Sequence, residues 1–214
     1  MTINMSITKL DFAAPFFKVE YLEDEEKYFI KEKSLVFNFS IAEDEYIFVK
    51  TIPIYPLKGT IVENVAITQV KRALVVKDYD KDADKPEFWA SIKAAWPTLF
   101  SISGFERHKG IPYYKSPQVT VGGNRRINFC YAEPMSPSGR HQIHVPDFDE
   151  VHAQILGFGK MQKFTENDDA TFYQEVIMAP GIVHDKFYDK TGYYPWHQYH
   201  SITDCIYMPI EIDR

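Results

Sequence analysis

From about residue 111 onward the chain is a succession of short β-branched and aromatic runs cut by glycine and proline. That punctuation restricts it to a fold of many short strands. "PQVTV", "GGN" and "RRINFCYAE" (117–133) read as strand, turn and strand, because Gly122, Gly123 and Asn124 tolerate positive φ. "PMSPSGR" is a turn-rich loop. Strand patterns return in "DEVHAQILGFGKMQKF", "ATFYQEVIMAPG" and "YHSITDCIYMPIEID". Earlier in the chain, "KSLVFNFSI" alternates and sets Leu35, Phe37 and Phe39 on one face. "EYIFVKTIPIYP" is also strand-like, and the β-branched content of "VENVAITQVKRALVV" favours one or two strands over a helix. The best helix is expected near 86–100. Phe88, Ile92 and Trp96 recur there at helical spacing, Pro86 suits the first turn and Pro97 cuts the pattern off. The expected fold is mainly β, a barrel or double-sheet jelly roll with one or two helices. Residues 111–214 would form the barrel, and 1–110 an N-terminal extension or degenerate barrel strands.

Bulk properties narrow the function classes. With 214 residues the chain can bury a sizeable core. Its net charge of −6 argues against a partner recognised by phosphate neutralisation, so no nucleic acid is expected. No run approaches the roughly 18 apolar residues of a membrane span, and "MTINMSITKLDF" lacks the pattern of a secretory leader. The expected location is the cytoplasm. Cys130 and Cys205 lie in apolar strand contexts and read as buried thiols rather than a disulfide or a nucleophile. The acidic run "DYDKDADK" lacks the central glycine of a calcium loop and reads as a solvated loop.

Six of the seven histidines fall between 141 and 200, with Glu150 among them. Imidazole and carboxylate are ligands that Fe, Mn, Ni, Cu and Zn share, so the concentration points to a divalent metal site. In a strand over 150–156, Glu150, His152 and Gln154 share one face, while Val151, Ala153 and Ile155 share the other. The apolar face would pack on the N-terminal half or on a second copy in a homodimer. His141, in the loop after Gly139, reads as exposed. In "GYYPWHQYHSITD" four aromatic rings surround His197 and His200, a composition suited to a pocket wall or, alternatively, to a strand packed on the core. In the pocket reading His197 is the candidate for acid–base work, Tyr199 shares its face and His200 points away. Gln154 and Trp196 are candidate substrate contacts. Arg125 and Arg140 could hold a substrate carboxylate, surface arginine being the alternative for each.

These residues resemble the motifs of the cupin superfamily. Glu150 and Gly157 have its first-motif spacing, and Pro180, Gly181 and His184 in "APGIVH" are similar to its second. The resemblance covers roughly residues 120–210. It implies a jelly roll holding one metal through His144, Glu150 and His184, with His152 as an extra or alternative ligand or a catalytic group. The chain departs from the usual His-x-His, since Val145 and Pro146 follow His144. His144, Glu150 and His184, with "DEVHAQILGFG", are similar to homogentisate dioxygenase, a cupin-fold aromatic dioxygenase. That likeness implies Fe(II) and oxidation of a small planar or carboxylated substrate by O₂, Mn, Ni or Zn being the other metals. Metal-dependent isomerase or lyase chemistry, or a non-catalytic small-molecule-binding cupin, are the alternatives.

Overall fold

A computed structural model describes residues 6–98, 112–142, 144, 148–188 and 190–213. Its strands form three antiparallel sheets. The first contains β1 (Ser6–Leu10), β2 (Lys18–Ile30), β3 (Ser34–Asn38), β4 (Ile47–Val49), β5 (Ile52–Ile54), β6 (Gly59–Val62) and β7 (Val65–Lys77). Its path runs β1-β2-β7-β3-β6, with β4 joined to β7 and β5 to β4. "VENVAITQVKRALVV" therefore contributes one long strand, β7, as its β-branched residues favour. Alternation gives this sheet two buried faces. Leu35, Phe37 and Phe39 enter one core together with Leu74 and Val76, while Val36, Ala73 and Val75 enter a second core enclosed by the same sheet.

One helix, α1 (Pro86–Ala95), follows, with proline in its first turn. It ends earlier than the spacing suggested. Trp96, the residue before Pro97, is extended at φ −94° and ψ 132°, because a following proline disfavours the helical region. Phe88, Ile92 and Trp96 still bury themselves together, against Phe16 and Phe17. The part of the expected helix beyond residue 98 lies outside the described residues.

The second sheet carries β8 (Tyr114–Lys115), β9 (Val119–Val121), β10 (Arg125–Ile127), β11 (Cys130–Ala132), β12 (Phe148–Leu156) and β16 (Cys205–Asp213). β16 is its spine: β11 and β10 lie along one edge and β12 along the other. The expected hairpin is present, with Val121 opposite Arg125 and both intervening glycines at positive φ, 56° and 79°. The third sheet is β14-β13-β15, from β13 (Gly159–Phe164), β14 (Phe172–Met178) and β15 (Trp196–Ser201).

The second sheet is buried on both sides, and β16 shows it by parity. Ile206, Met208 and Ile210 belong to the core shared with the N-terminal sheet and α1. Cys205 and Tyr207 belong to a core shared with Met161, Met178 and Tyr199 of the third sheet. Val151, Ala153 and Ile155 are in the first of these cores, so the apolar face of β12 is covered by the chain's own N-terminal half. Both cysteines are buried free thiols, pushed up to about 12 by burial. No helix among the described residues is long and apolar enough to cross a membrane.

Candidate metal centre

The polar face of β12 is turned inward. His152 and Gln154 are buried and the Glu150 side chain is only 11% exposed, although a strand with one apolar face normally gives its other face to water. The opposing surface comes from β15. Strand parity puts His197 and Tyr199 on the same side of the third sheet, opposite Lys163 and Met161 of β13. Ahead of β12, His141 is joined to β15 by paired backbone bonds with His197, 2.9 and 3.0 Å, and the His141 and His144 side chains meet at the Glu150 end of β12.

Four side chains converge there. One donor atom from each of His141, His144, Glu150 and His197 lies within 4.8 Å of all the others. His144 Nε2 is 3.2 Å from His141 Nε2 and 3.3 Å from Glu150 Oε2, and His197 Nε2 is 3.9 Å from the same oxygen. The opposite ring nitrogens face backbone carbonyls: His197 Nδ1 that of Pro195 at 3.1 Å, His141 Nδ1 that of Gly139 and His144 Nδ1 that of Phe148, both at 3.4 Å. A proton held on Nδ1 leaves a lone pair on Nε2, the arrangement by which backbone carbonyls fix the tautomer of metal-bound histidines. Rings hold these orientations. Phe148 stacks on His144 at 4.5 Å and Phe187 on His197 at 4.3 Å.

The centre of the cluster is electrostatically incomplete. Glu150 Oε2 and His197 Nε2 are buried and make no hydrogen bond among the described residues. Burial alone would raise the Glu150 carboxyl, but His152, His144 and His197 outweigh it and hold the group well below the usual carboxylate range. An anionic oxygen and inward imidazole lone pairs at this spacing form a donor set that fits a divalent transition metal.

His152 and His184 sit beside this set. Residues 181–184 run antiparallel to β12, with Gly181 N on Gln154 O and Gln154 N on Ile182 O, and so deliver His184 next to His152. His184 Nδ1 donates to Asp185 O at 2.7 Å. Its Nε2 accepts the backbone N–H of His152 at 2.8 Å and lies 3.0 Å from His152 Nδ1. The nitrogen with which His184 was expected to bind a metal is thus already used, and His184 is not one of the four. His152 Nε2 stands 3.6 Å from Glu150 Oε1, outside the four-residue cluster but in contact with it. Burial pushes His152 down to about 4, against the opposing charge of Glu150, and holds His184 well below the usual histidine range.

The other expected site residues are distributed differently. Gln154 and Tyr199 are spent on each other: Tyr199 Oη donates to Gln154 Oε1 at 2.7 Å, and Gln154 Nε2 donates to Leu156 O. Tyr199 is stacked on Tyr207 in the core. By strand parity Trp196 and His200 lie on the opposite face of β15 from His197. Arg140 reaches Asn167 and Asp169 in the β13–β14 connection, with its guanidinium over Phe164. Arg125 is buried between the first two sheets and donates to Asn124 Oδ1 at 2.9 Å. Neither arginine joins the cluster.

Of the four cluster residues, His144 and Glu150 are candidate ligands by sequence, while His141 reads there as exposed and His197 as an acid–base group. A signal existed for each. His141-x-x-His144 is a pair of histidines just ahead of the glutamate, one residue wider than His-x-His. His197 is the histidine whose strand parity matches an inward Tyr199.

No protein-family model matches the sequence, and no curated protein matches it. Among solved structures it is similar to cupins. The cupin 2 conserved barrel domain protein from Leptotrichia buccalis is 10% identical, with 100% of this chain and 91% of that chain covered at a TM-score of 0.35. AerE from Microcystis aeruginosa is 11% identical, with 98% of each chain covered at 0.37. Oxalate decarboxylase from Bacillus subtilis, a protein with Mn(II) centres, is 12% identical, with 94% of this chain and 70% of that chain covered at 0.38.

Proposed function

We propose that the chain is a metal-dependent enzyme of the cupin type acting on a small molecule, with one divalent metal held by His141, His144, His197 and Glu150. The observation that carries this reading is the pair of buried atoms that make no hydrogen bond among the described residues, Glu150 Oε2 and His197 Nε2, at the centre of four converging donors. Leaving such groups unsatisfied costs several kcal/mol, and a bound cation would satisfy both at once. Three imidazoles and one carboxylate suit iron, which we favour, and also Mn, Ni or Zn. A bound metal of this kind supplies Lewis acidity and, in the case of iron, electrons for O₂. The chain's own part is to hold the imidazoles in one tautomer, to keep Glu150 ionised, and to pack the imidazole rings against Phe148, Phe187 and Tyr194.

Isomerase or lyase chemistry is the second reading. A fourth protein donor favours it, because it takes a position that a set of two histidines and one carboxylate leaves open to O₂ or substrate. The test is metal content of the protein purified without a metal-binding tag, beside Glu150→Ala. Near-stoichiometric iron lost in the variant, followed by oxygen uptake with planar carboxylates, supports the oxygenase. Zinc, nickel or manganese with the same dependence moves the assignment to the second reading. Absence of metal after anaerobic reconstitution with Fe(II) overturns both and leaves a binding module.

A further inference from the structure

We propose that Lys163 is the anion-recognising side chain at the mouth of this site, and that the substrate carries a carboxylate. The placement follows from register. Lys163 of β13 is directly opposite His197 of β15, so both side chains rise from the same face of the third sheet. The Lys163 ammonium lies 5.6 Å from the centroid of the Phe187 ring. That ring stacks on His197 at 4.3 Å and on His184 at 4.5 Å. Lys163 and His197 therefore border the same aromatic ring.

The lysine is also unlike its neighbours. Lys58, Lys160 and Lys186, around the same region, each reach a carboxylate: Asp185, Glu175 and Asp149. Lys163 is half-buried, yet it makes no ion pair or hydrogen bond with any described residue. Asp185, the acid whose charge it feels, is bonded to Lys58 instead. Burial lowers the Lys163 ammonium from its ordinary value, the expected effect of withdrawing a cation from water without a counter-ion. A carboxylate on an incoming molecule would provide that counter-ion. Arg125 and Arg140, the candidates from sequence for this task, are both engaged elsewhere.

The proposal rests on the metal-site reading for the position of the reacting centre, and the experiment keeps the two apart. Affinities for benzoate and for its neutral counterpart benzamide would be measured calorimetrically on wild type, Lys163→Met and Lys163→Arg, each metal-free and metal-loaded, with metal content determined on every sample. The expected result is benzoate binding weakened about tenfold or more by Lys163→Met and largely restored by Lys163→Arg, with benzamide affinity equal in all three. Unchanged metal content and unfolding midpoint show that the variants fold. Equal benzoate affinity in wild type and Lys163→Met overturns the proposal, as does undetectable benzoate binding to wild type in both states. Lysine-dependent benzoate binding in a protein that takes up no metal supports Lys163 and sinks the metal reading. Metal uptake with lysine-independent binding does the reverse.

Discussion

His184 accepts the backbone N–H of His152 through Nε2 at 2.8 Å, and the same nitrogen lies 3.0 Å from His152 Nδ1. With its own Nδ1 proton on Asp185 O, His184 has no lone pair left for a metal. His184→Ala should therefore cost about 1–3 kcal/mol in denaturant unfolding, because a buried N–H loses its acceptor, yet leave metal stoichiometry near wild type. Loss of metal in this variant as complete as in Glu150→Ala would make His184 a ligand after all.

The same pair predicts acid sensitivity in the metal-free protein. His152 titrates near 4 in the folded chain and near 6.5 when unfolded, and His184 is shifted in the same direction. Between these values the unfolded chain binds the extra proton, so stability rises with pH: it is complete above about 6.5 and is lost as pH falls toward 4. For His152 alone the loss is about 3 kcal/mol. The lowered Glu150 carboxyl contributes in the same sense, its share being lost at still lower pH. Unfolding midpoints measured from pH 7.5 to 4 should fall across that window, and His152→Gln should flatten the upper part of the curve. An unchanged profile in that variant would refute the assignment.

What was legible in the sequence was whatever depends on period. The alternation of "KSLVFNFSI" placed Leu35, Phe37 and Phe39 in one core, and the alternation of β12 separated Val151, Ala153 and Ile155 from Glu150, His152 and Gln154. Period does not say which face meets which layer. That depends on β12 pairing with β16 and on β15 facing it, contacts between residues 45 or more apart in sequence. His141 was misread because its position is set by a backbone bridge to His197, which no local pattern announces. Arg125 is a candidate by charge alone, whereas its register in β10, opposite Ile212 of β16, buries it outside the four-residue cluster.

His141 gives the sharpest test of the four-donor set, since local sequence alone makes it a loop histidine. Adding the bound metal at about 100 times its dissociation constant should stabilise wild type by about 2.7 kcal/mol. His141→Ala should remove most of that gain while changing the metal-free unfolding midpoint little, because its ring is only partly buried. A full metal-induced shift in His141→Ala would reduce the set to His144, Glu150 and His197.

Gly159 and Tyr199 set how closely β13 and β15 approach behind the cluster. A Cβ at Gly159 would stand 2.0 Å from Tyr199 Oη and 2.4 Å from the ring carbon that bears it. Tyr199 cannot swing away, because it is buried, stacked on Tyr207 at 4.1 Å and bonded to Gln154. Gly159→Ala should cost about 3 kcal/mol or more through overpacking and loss of the Gln154 bond. Tyr199→Phe alone should cost about 1–3 kcal/mol, from the acceptor left bare on Gln154. Since both changes act on the same hydroxyl, the double variant should lose less than the sum, with a coupling of at least about 1 kcal/mol. Additive losses in urea unfolding would place the strain elsewhere, and a Tyr199→Phe protein of wild-type stability that failed in turnover would return Tyr199 to the chemistry.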